Sequence, residues 1–137
     1  MGGRHARHIQ PRHRPGGLHK GYALKALDRF RRKNQRFDII VADPPSFSHG
    51  DAIWSVEKGL SALVAGCLRV LQPQGWLVVA TNHGKMSPKD FAKAILDASV
   101  RTKRPVRILK QYNPSIDFPA ALSFPESRYL KCWLIQA

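Results

Sequence analysis

The sequence predicts an α/β domain, because apolar segments with helical and with strand-like patterns alternate along most of the chain. The first strand-like runs are short, rich in β-branched residues and poor in polar alternation, as is typical of strands in a parallel sheet. Two strand-like segments then follow one another near the end of the chain. This order predicts a sheet that is parallel at first and closes with an antiparallel pair.

Three helices and four strands are predicted, in the order helix, strand, helix, strand, helix, strand, strand. The helices are expected over residues 21–34, 55–71 and 88–100, and the strands over residues 37–42, 76–80, 105–110 and 129–135. The first helix is amphipathic with a basic outer face. The first strand, expected to be buried on both faces, ends at Asp43-Pro44-Pro45, because two prolines cannot continue a sheet ladder. Ser87 and Pro88 form a favourable N-cap and first position for the third helix.

Length and composition restrict the class of protein. The chain has 137 residues, of which 43% are hydrophobic, which suits one globular domain and is too many for wholesale disorder. No apolar run approaches the roughly 20 residues that span a bilayer, and no secretory signal is recognisable, so the cytoplasm is the expected compartment. Two distant cysteines, Cys67 and Cys132, predict neither a disulfide framework nor a zinc site.

The positive charge is concentrated near the N-terminus. The whole chain carries a formal net charge of +14, and residues 1–36 hold eleven basic side chains against one acidic side chain. Such a block attracts polyanions, of which RNA is the commonest in the cytosol. The alternative is a solvated tail that binds any polyanion weakly. Residues 1–20, which contain prolines, glycines and histidines, are predicted to be a disordered basic arm without a metal site.

Two loops are expected to form the functional site, because ligands bind outside the carboxyl ends of the strands in open α/β sheets. They are residues 43–47 and residues 81–83. A carboxylate at a strand end can hold a ligand amine or hydroxyl, the double proline stiffens the loop, and Phe47 offers a stacking face to a flat ring. The alternative for Asp43 is a strand-end turn with a capping aspartate.

Residues 37–47, which read FDIIVADPPSF, resemble the fourth motif of class I S-adenosylmethionine-dependent methyltransferases. More narrowly, they are similar to the bacterial 23S ribosomal RNA methyltransferases of the RlmI and RlmK type. Residues 68–77 and 129–135 resemble the turn before the fifth strand and the closing strand of these enzymes. The resemblance implies that residues 21–137 form the C-terminal part of a Rossmann-like methyltransferase domain, with strands four to seven of its sheet.

The resemblance also implies roles for individual residues, with S-adenosylmethionine as cofactor and RNA as partner. Asp43, Pro44 and Pro45 are expected at the methyl-transfer centre, the substrate base is expected near Ser46, Phe47, Asn82 and His83, and the RNA near Arg29, Arg31, Arg32 and Lys33. Methylation at cytosine C5 uses a cysteine nucleophile. Because Cys67 and Cys132 fall on a helix stripe and within a strand, both are predicted to be core thiols, and a base nitrogen is the more suitable target.

The chain departs from the family pattern in one large respect. It has no strand followed by a glycine-rich turn and an acidic residue, so the first three strands and half of the donor pocket are expected to be missing. The first strand of this chain should then present an unpaired apolar edge, which favours a homodimer or association with the missing half. The alternative function is a non-catalytic RNA-binding remnant, or a subunit that needs a partner.

Overall fold

The computed structural model describes residues 22–44, 53–112 and 130–137. Three helices and four strands lie within them, in the predicted order: α1 (Tyr22–Arg32), β1 (Phe37–Ala42), α2 (Ile53–Val70), β2 (Leu71–Thr81), α3 (Pro88–Thr102), β3 (Arg107–Tyr112) and β4 (Lys131–Gln136). The basic arm predicted over residues 1–20 lies outside the described residues.

The four strands form one mixed sheet with the order β1-β2-β4-β3. β1 is parallel to β2, whereas β4 is antiparallel to both of its neighbours, β2 and β3. The predicted α/β class and the antiparallel closing pair are therefore confirmed. The sequence order did not predict that the last strand enters between β2 and β3, because that placement depends on pairing between residues distant in sequence.

β2 is longer than the sequence predicts. It begins at Leu71, directly after α2, whereas the sequence predicts a strand over residues 76–80. The extra length is accommodated by an irregular register opposite residues 37–39 and by a left-handed backbone at Gln74, where φ is 62°. Pairing of Leu71 with Phe37 of β1 extends the strand through residues 72–75.

The hydrophobic core lies between one face of the sheet and the helices. The predicted apolar stripe of α2 is buried, and α3 adds Phe91, whose ring meets the Trp133 ring edge-on at 5.0 Å between centroids. α1 packs on α2 at Gly66, where an added Cβ would lie 2.9 Å from Leu27 Cδ1. Gly66 therefore allows the two helices to approach closely.

The prediction that β1 is buried on both faces is wrong for this chain. Ile40 packs against the core and Ala42 is buried, whereas Ile39 and Val41 are 61% and 68% exposed. Successive side chains of a strand point to opposite faces, and the helices of the described residues cover one face only. Trp76, which is paired with Ile39 in β2, is also 45% exposed. An apolar face therefore extends across β1 and β2, next to the edge of β1 that none of the described strands pairs with.

Arg104 holds together the edge of the sheet at which β2 begins and β4 ends. Its guanidinium donates hydrogen bonds to the carbonyl oxygens of Leu68 and Leu71, and also to those of Gln72 and Ala137, both at 3.1 Å. Burial lowers the pKa of Arg104, and the nearby charge of Arg36 acts in the same direction. One side chain thus satisfies carbonyls at the end of α2, the start of β2 and the end of the chain.

We expect Arg104→Gln to lower the free energy of unfolding by about 2 kcal/mol, because it leaves part-buried carbonyls without their charged donor. Arg107→Gln, at the exposed first residue of β3, is the matched control and should change it by less than about 0.5 kcal/mol. Urea denaturation followed by circular dichroism measures both. Equal losses in the two variants would contradict the role of Arg104.

Candidate functional site

The carboxyl ends of β1 and β2 lie side by side, because the two strands are parallel and Ala42 is opposite Val79. β4 is antiparallel to β2 and therefore begins at the same edge, with Lys131 opposite Thr81 and Cys132 opposite Ala80. The residues that follow these strand ends or begin β4 form the carboxyl edge of the sheet: Asp43, Pro44, Asn82, His83, Lys131 and Cys132.

The structure brings four of the predicted site residues together at the carboxyl edge: Asp43, Pro44, Asn82 and His83. Asp43 is exposed, and its negative charge adds to burial in raising the pKa of the Cys132 thiol. The roles of these residues remain predictions. Pro45, Ser46 and Phe47 lie outside the described residues.

The loop after β2 is held by hydrogen bonds at both ends. The His83 N–H donates to Thr81 Oγ1 at 3.3 Å, and the Met86 N–H donates to the His83 carbonyl oxygen at 3.2 Å. Thr81 and Met86 are both buried. Asn82 is exposed between these anchors. An exposed amide on a fixed backbone has both a donor and an acceptor to offer to a ligand.

The same loop leads into α3 through the predicted cap. The Asp90 N–H donates to Ser87 Oγ at 3.1 Å, and the Ser87 N–H donates to Asp90 Oδ2 at 3.2 Å, with Pro88 in the first turn. The prediction of Ser87 as N-cap and Pro88 at the helix start is thus confirmed. Hydrogen bonds from the Ser87 side chain and backbone keep the pKa of Asp90 below its usual value.

Sequence reasoning missed Lys131. Its side chain is only 7% exposed, and its Nζ donates a hydrogen bond to the His83 carbonyl oxygen at 3.1 Å. Burial lowers the pKa of Lys131, and the Asp90 carboxylate opposes that shift. The sequence offered one signal for Lys131, namely its position between the apolar residues Leu130 and Cys132 near the start of a predicted strand. A lysine is unusual there because this residue type is rarely buried. Lys131 connects β4 to the loop that carries Asn82.

The two cysteines do not have the environment of an activated nucleophile. Cys67 is buried on the core stripe of α2, as predicted, and burial raises the pKa of its thiol to about 12. Cys132 is half-buried, and burial together with the charge of Asp43 also raises its pKa. A thiol attacks as its thiolate, so both shifts oppose nucleophilic catalysis.

The predicted RNA-contacting residues lie elsewhere on the molecule. Arg29, Arg31, Arg32 and Lys33 are exposed at the C-terminal end of α1, which a short turn joins to the start of β1. Arg31 and Arg32 form ion pairs with Asp28 at 2.9 and 2.7 Å. These residues are therefore at the edge of the sheet opposite the carboxyl edge, and the structure does not bring them together with Asp43.

Two other kinds of feature are absent from residues 22–44, 53–112 and 130–137. None of the helices there is both long enough and apolar enough to cross a lipid bilayer. Within the same ranges, no three histidine, cysteine, aspartate or glutamate side chains are grouped so that they could hold a metal ion.

Comparison with known proteins places the chain among methyltransferases. No protein-family model matches it. It is 32% identical over 109 residues to the ribosomal RNA large subunit methyltransferase I of Erwinia tasmaniensis, an alignment that covers 79% of this chain and 28% of that protein. The chain is a relative of these methyltransferases. It spans between a quarter and a third of the length of this curated relative.

Solved structures agree with this relationship. A protein from Streptococcus mutans described as a SAM-dependent methyltransferase is 28% identical, with a TM-score of 0.70 over 82% of this chain and 28% of that one. SMU.776, described as a methyltransferase complexed with SAH, is 26% identical, with a TM-score of 0.71 over 82% of this chain and 29% of that one. The predicted resemblance to class I methyltransferases and the predicted fold are thus confirmed.

The buried Lys131 predicts a specific pH dependence of stability. Burial lowers the pKa of Lys131 in the folded chain below the value of 10.5 that it has in the unfolded chain. Between these two pKa values the unfolded chain binds more protons than the folded chain, so the free energy of unfolding rises with pH there. Lys131→Met removes this effect. We therefore expect the stability of the wild type relative to the variant to increase from neutral pH toward pH 10.5.

Urea denaturation at several pH values measures this difference, with Lys89→Met, which removes an exposed lysine from α3, as the control for the loss of one positive charge. A difference between wild type and Lys131→Met that stays constant over the interval would contradict the effect of burial.

Proposed function

We propose that this chain contributes part of the active site of an S-adenosylmethionine-dependent methyltransferase that acts on a base nitrogen of ribosomal RNA. The observation that carries the proposal is Asp43-Pro44 at the carboxyl end of β1, beside the anchored loop with Asn82, in a relative of ribosomal RNA large subunit methyltransferases. The proposed organisation is a basic arm over residues 1–20 and a partial methyltransferase domain over residues 21–137, acting in the cytoplasm.

The side chains at the carboxyl edge suit this chemistry. When bound, S-adenosylmethionine supplies an activated methyl group on a sulfonium. The exposed Asp43 carboxylate can accept a hydrogen bond from an ammonium or hydroxyl group of the donor, and the Asn82 amide can pair with the edge of a base. Methyl transfer needs positioning of the reacting atoms more than acid or base catalysis. Lys131 is then a positioning residue, because it holds the backbone next to Asn82.

Calorimetric titration of the 137-residue chain with S-adenosylmethionine tests the proposal. Because the chain spans only 28% of its relative, we expect weak binding, with a dissociation constant of roughly 100 µM. Asp43→Ala should reduce the affinity at least tenfold, an effect of about 1.4 kcal/mol or more. Asp38→Ala, which removes a carboxylate near the other end of β1, is the matched control and should leave the affinity unchanged. A folded chain that shows no binding would contradict the enzyme proposal.

The alternative function is a non-catalytic RNA-binding remnant, or a subunit that needs a partner. An RNA methylation assay separates the two proposals. In the enzyme proposal, Asp43→Ala abolishes methyl transfer and spares RNA affinity. An active chain that keeps its full rate after this substitution would place the methyl-transfer centre elsewhere.

The exposed apolar face of β1 and β2 supports a partner for this chain. Ile39, Val41 and Trp76 are all more than 40% exposed beside the edge of β1 that pairs with no other strand of the described residues. An apolar strand edge of this kind is a template for pairing with another chain. We propose that a second copy of this chain covers this apolar face. The competing occupant is a separate methyltransferase segment.

Sedimentation velocity over a range of concentrations tests the second-copy proposal. We expect the wild type to form a dimer and the double variant Ile39→Thr, Val41→Thr to remain monomeric. The matched control is Leu96→Thr, Val100→Thr, which changes two apolar residues of α3 that are 61% and 69% exposed. A wild type that stays monomeric, or a control that dissociates equally, would contradict self-association through β1.

A further inference from the structure

The arginines of the described residues all lie at one edge of the sheet. The chain enters a strand directly or shortly after each of the three helices, so the helix C-termini collect where β1, β2 and β3 begin. Arg29, Arg31 and Arg32 occupy the last turn of α1, Arg69 that of α2 and Arg101 that of α3. The other three are in the loops that follow or at the first residue of β3: Arg36, Arg104 and Arg107. This set of eight is named the arginine edge.

The arginine edge is a connected surface with two open cavities. One cavity, of about 450 Å³, is lined in part by Arg36, Lys103 and Arg104. The other, of about 200 Å³, is lined in part by Arg31, Arg69 and Arg101, together with the carboxylate of Asp28. The Arg36 guanidinium donates to the carbonyl oxygen of Arg69 and so joins the two. Cationic side chains thus line adjacent depressions, each larger than a phosphate group.

The charge balance of this edge is strongly positive. With Lys33 and Lys103 added to the arginines there are ten basic side chains, against the three acidic side chains of Asp28, Asp38 and Asp97, a balance of +7. The carboxylates of Asp28 and Asp97 already face arginines, Asp97 at 3.6 Å from Arg101. In the remaining described residues, the basic side chains are all lysines.

Structural roles account for only part of this cluster. Arg36 and Arg104 satisfy backbone carbonyls, and a cation at a helix C-terminus is stabilised by about 0.3–1 kcal/mol. The helix ends account for Arg69 in the last turn of α2 and for Lys103 at the C-cap of α3. They do not account for the exposed Arg107 in β3, which adds to a surface on which like charges repel. The planar guanidinium fork matches a phosphate with two parallel hydrogen bonds, which a lysine cannot make.

We propose that the arginine edge is a docking surface for the phosphate backbone of RNA. The inference rests on the proposed function in taking RNA as the partner, and it adds where the RNA lies. β1 has six residues, so at a rise of about 3.3 Å per residue the two edges are roughly 17 Å apart. A structured RNA can span this distance, with its phosphates at the arginine edge and its target base at the carboxyl edge.

Fluorescence anisotropy with a labelled RNA stem-loop of about 30 nucleotides tests this inference, at several concentrations of KCl. The test variant is Arg69→Gln, Arg101→Gln, Lys103→Gln, which leaves the carbonyl-bonded Arg36 and Arg104 intact. The control variant is Lys58→Gln, Lys89→Gln, Lys93→Gln, which removes three exposed charges from the other ends of α2 and α3. The two variants therefore have the same net charge.

We expect the test variant to lose at least about tenfold in affinity and to show a salt dependence shallower by about two to three in slope, since each phosphate contact contributes about 0.7–0.9. The control should stay within about twofold of the wild type. Equal losses in both variants would show that binding follows net charge, and they would overturn the inference. A wild type that does not bind this RNA would also overturn it, whereas titration with S-adenosylmethionine judges the proposed active site independently.

Circular dichroism and thermal melting establish that the variants are folded. If the triple variant unfolds, the single variants Arg69→Gln and Arg107→Gln replace it, because both side chains are exposed. Each should lower the slope of the salt dependence by about 0.7–0.9. Unchanged slopes in folded single variants would overturn the proposal.

Discussion

The pairing of β4 with β2 is the constraint on which the rest of the structure depends. Since β4 runs antiparallel between β2 and β3, its first residue reaches the carboxyl edge and its last residues reach the arginine edge. Lys131 can therefore bond to the loop after β2, and Arg104 can bond to the carbonyl of Ala137. β4 therefore contacts residues at both the carboxyl edge and the arginine edge.

The alternation of helix and strand separates two kinds of chemistry. In a sheet with parallel neighbours, strands end at one edge and the helices that precede them end at the other, where their partial negative charge favours cations. Here the first edge has a carboxylate, an amide and a buried lysine, and the second has the arginines. A polyanion attracted to the second edge leaves the first edge free for a small donor and a single base.

Features that local sequence determines were predictable, whereas features that depend on distant pairing were not. The cap at Ser87, the apolar stripe of α2 and the end of β1 before Pro44 all follow from neighbouring residues. The position of β4 and the burial of Lys131 follow from contacts with residues about 50 positions away. Likewise, Asp43 and Asn82 could be identified from the predicted strand ends. Only the order and direction of the strands show that they lie far from the basic residues of α1.

The exposure of β1 has a consequence for the proposed site. Asp43 directly follows the strand whose outer face presents Ile39 and Val41, so any chain that pairs with β1 or covers this face also approaches the Asp43 carboxylate. Covering the apolar face would exclude water beside that carboxylate and strengthen its hydrogen bonds to a bound donor. Donor binding is therefore expected to respond to the partner of β1.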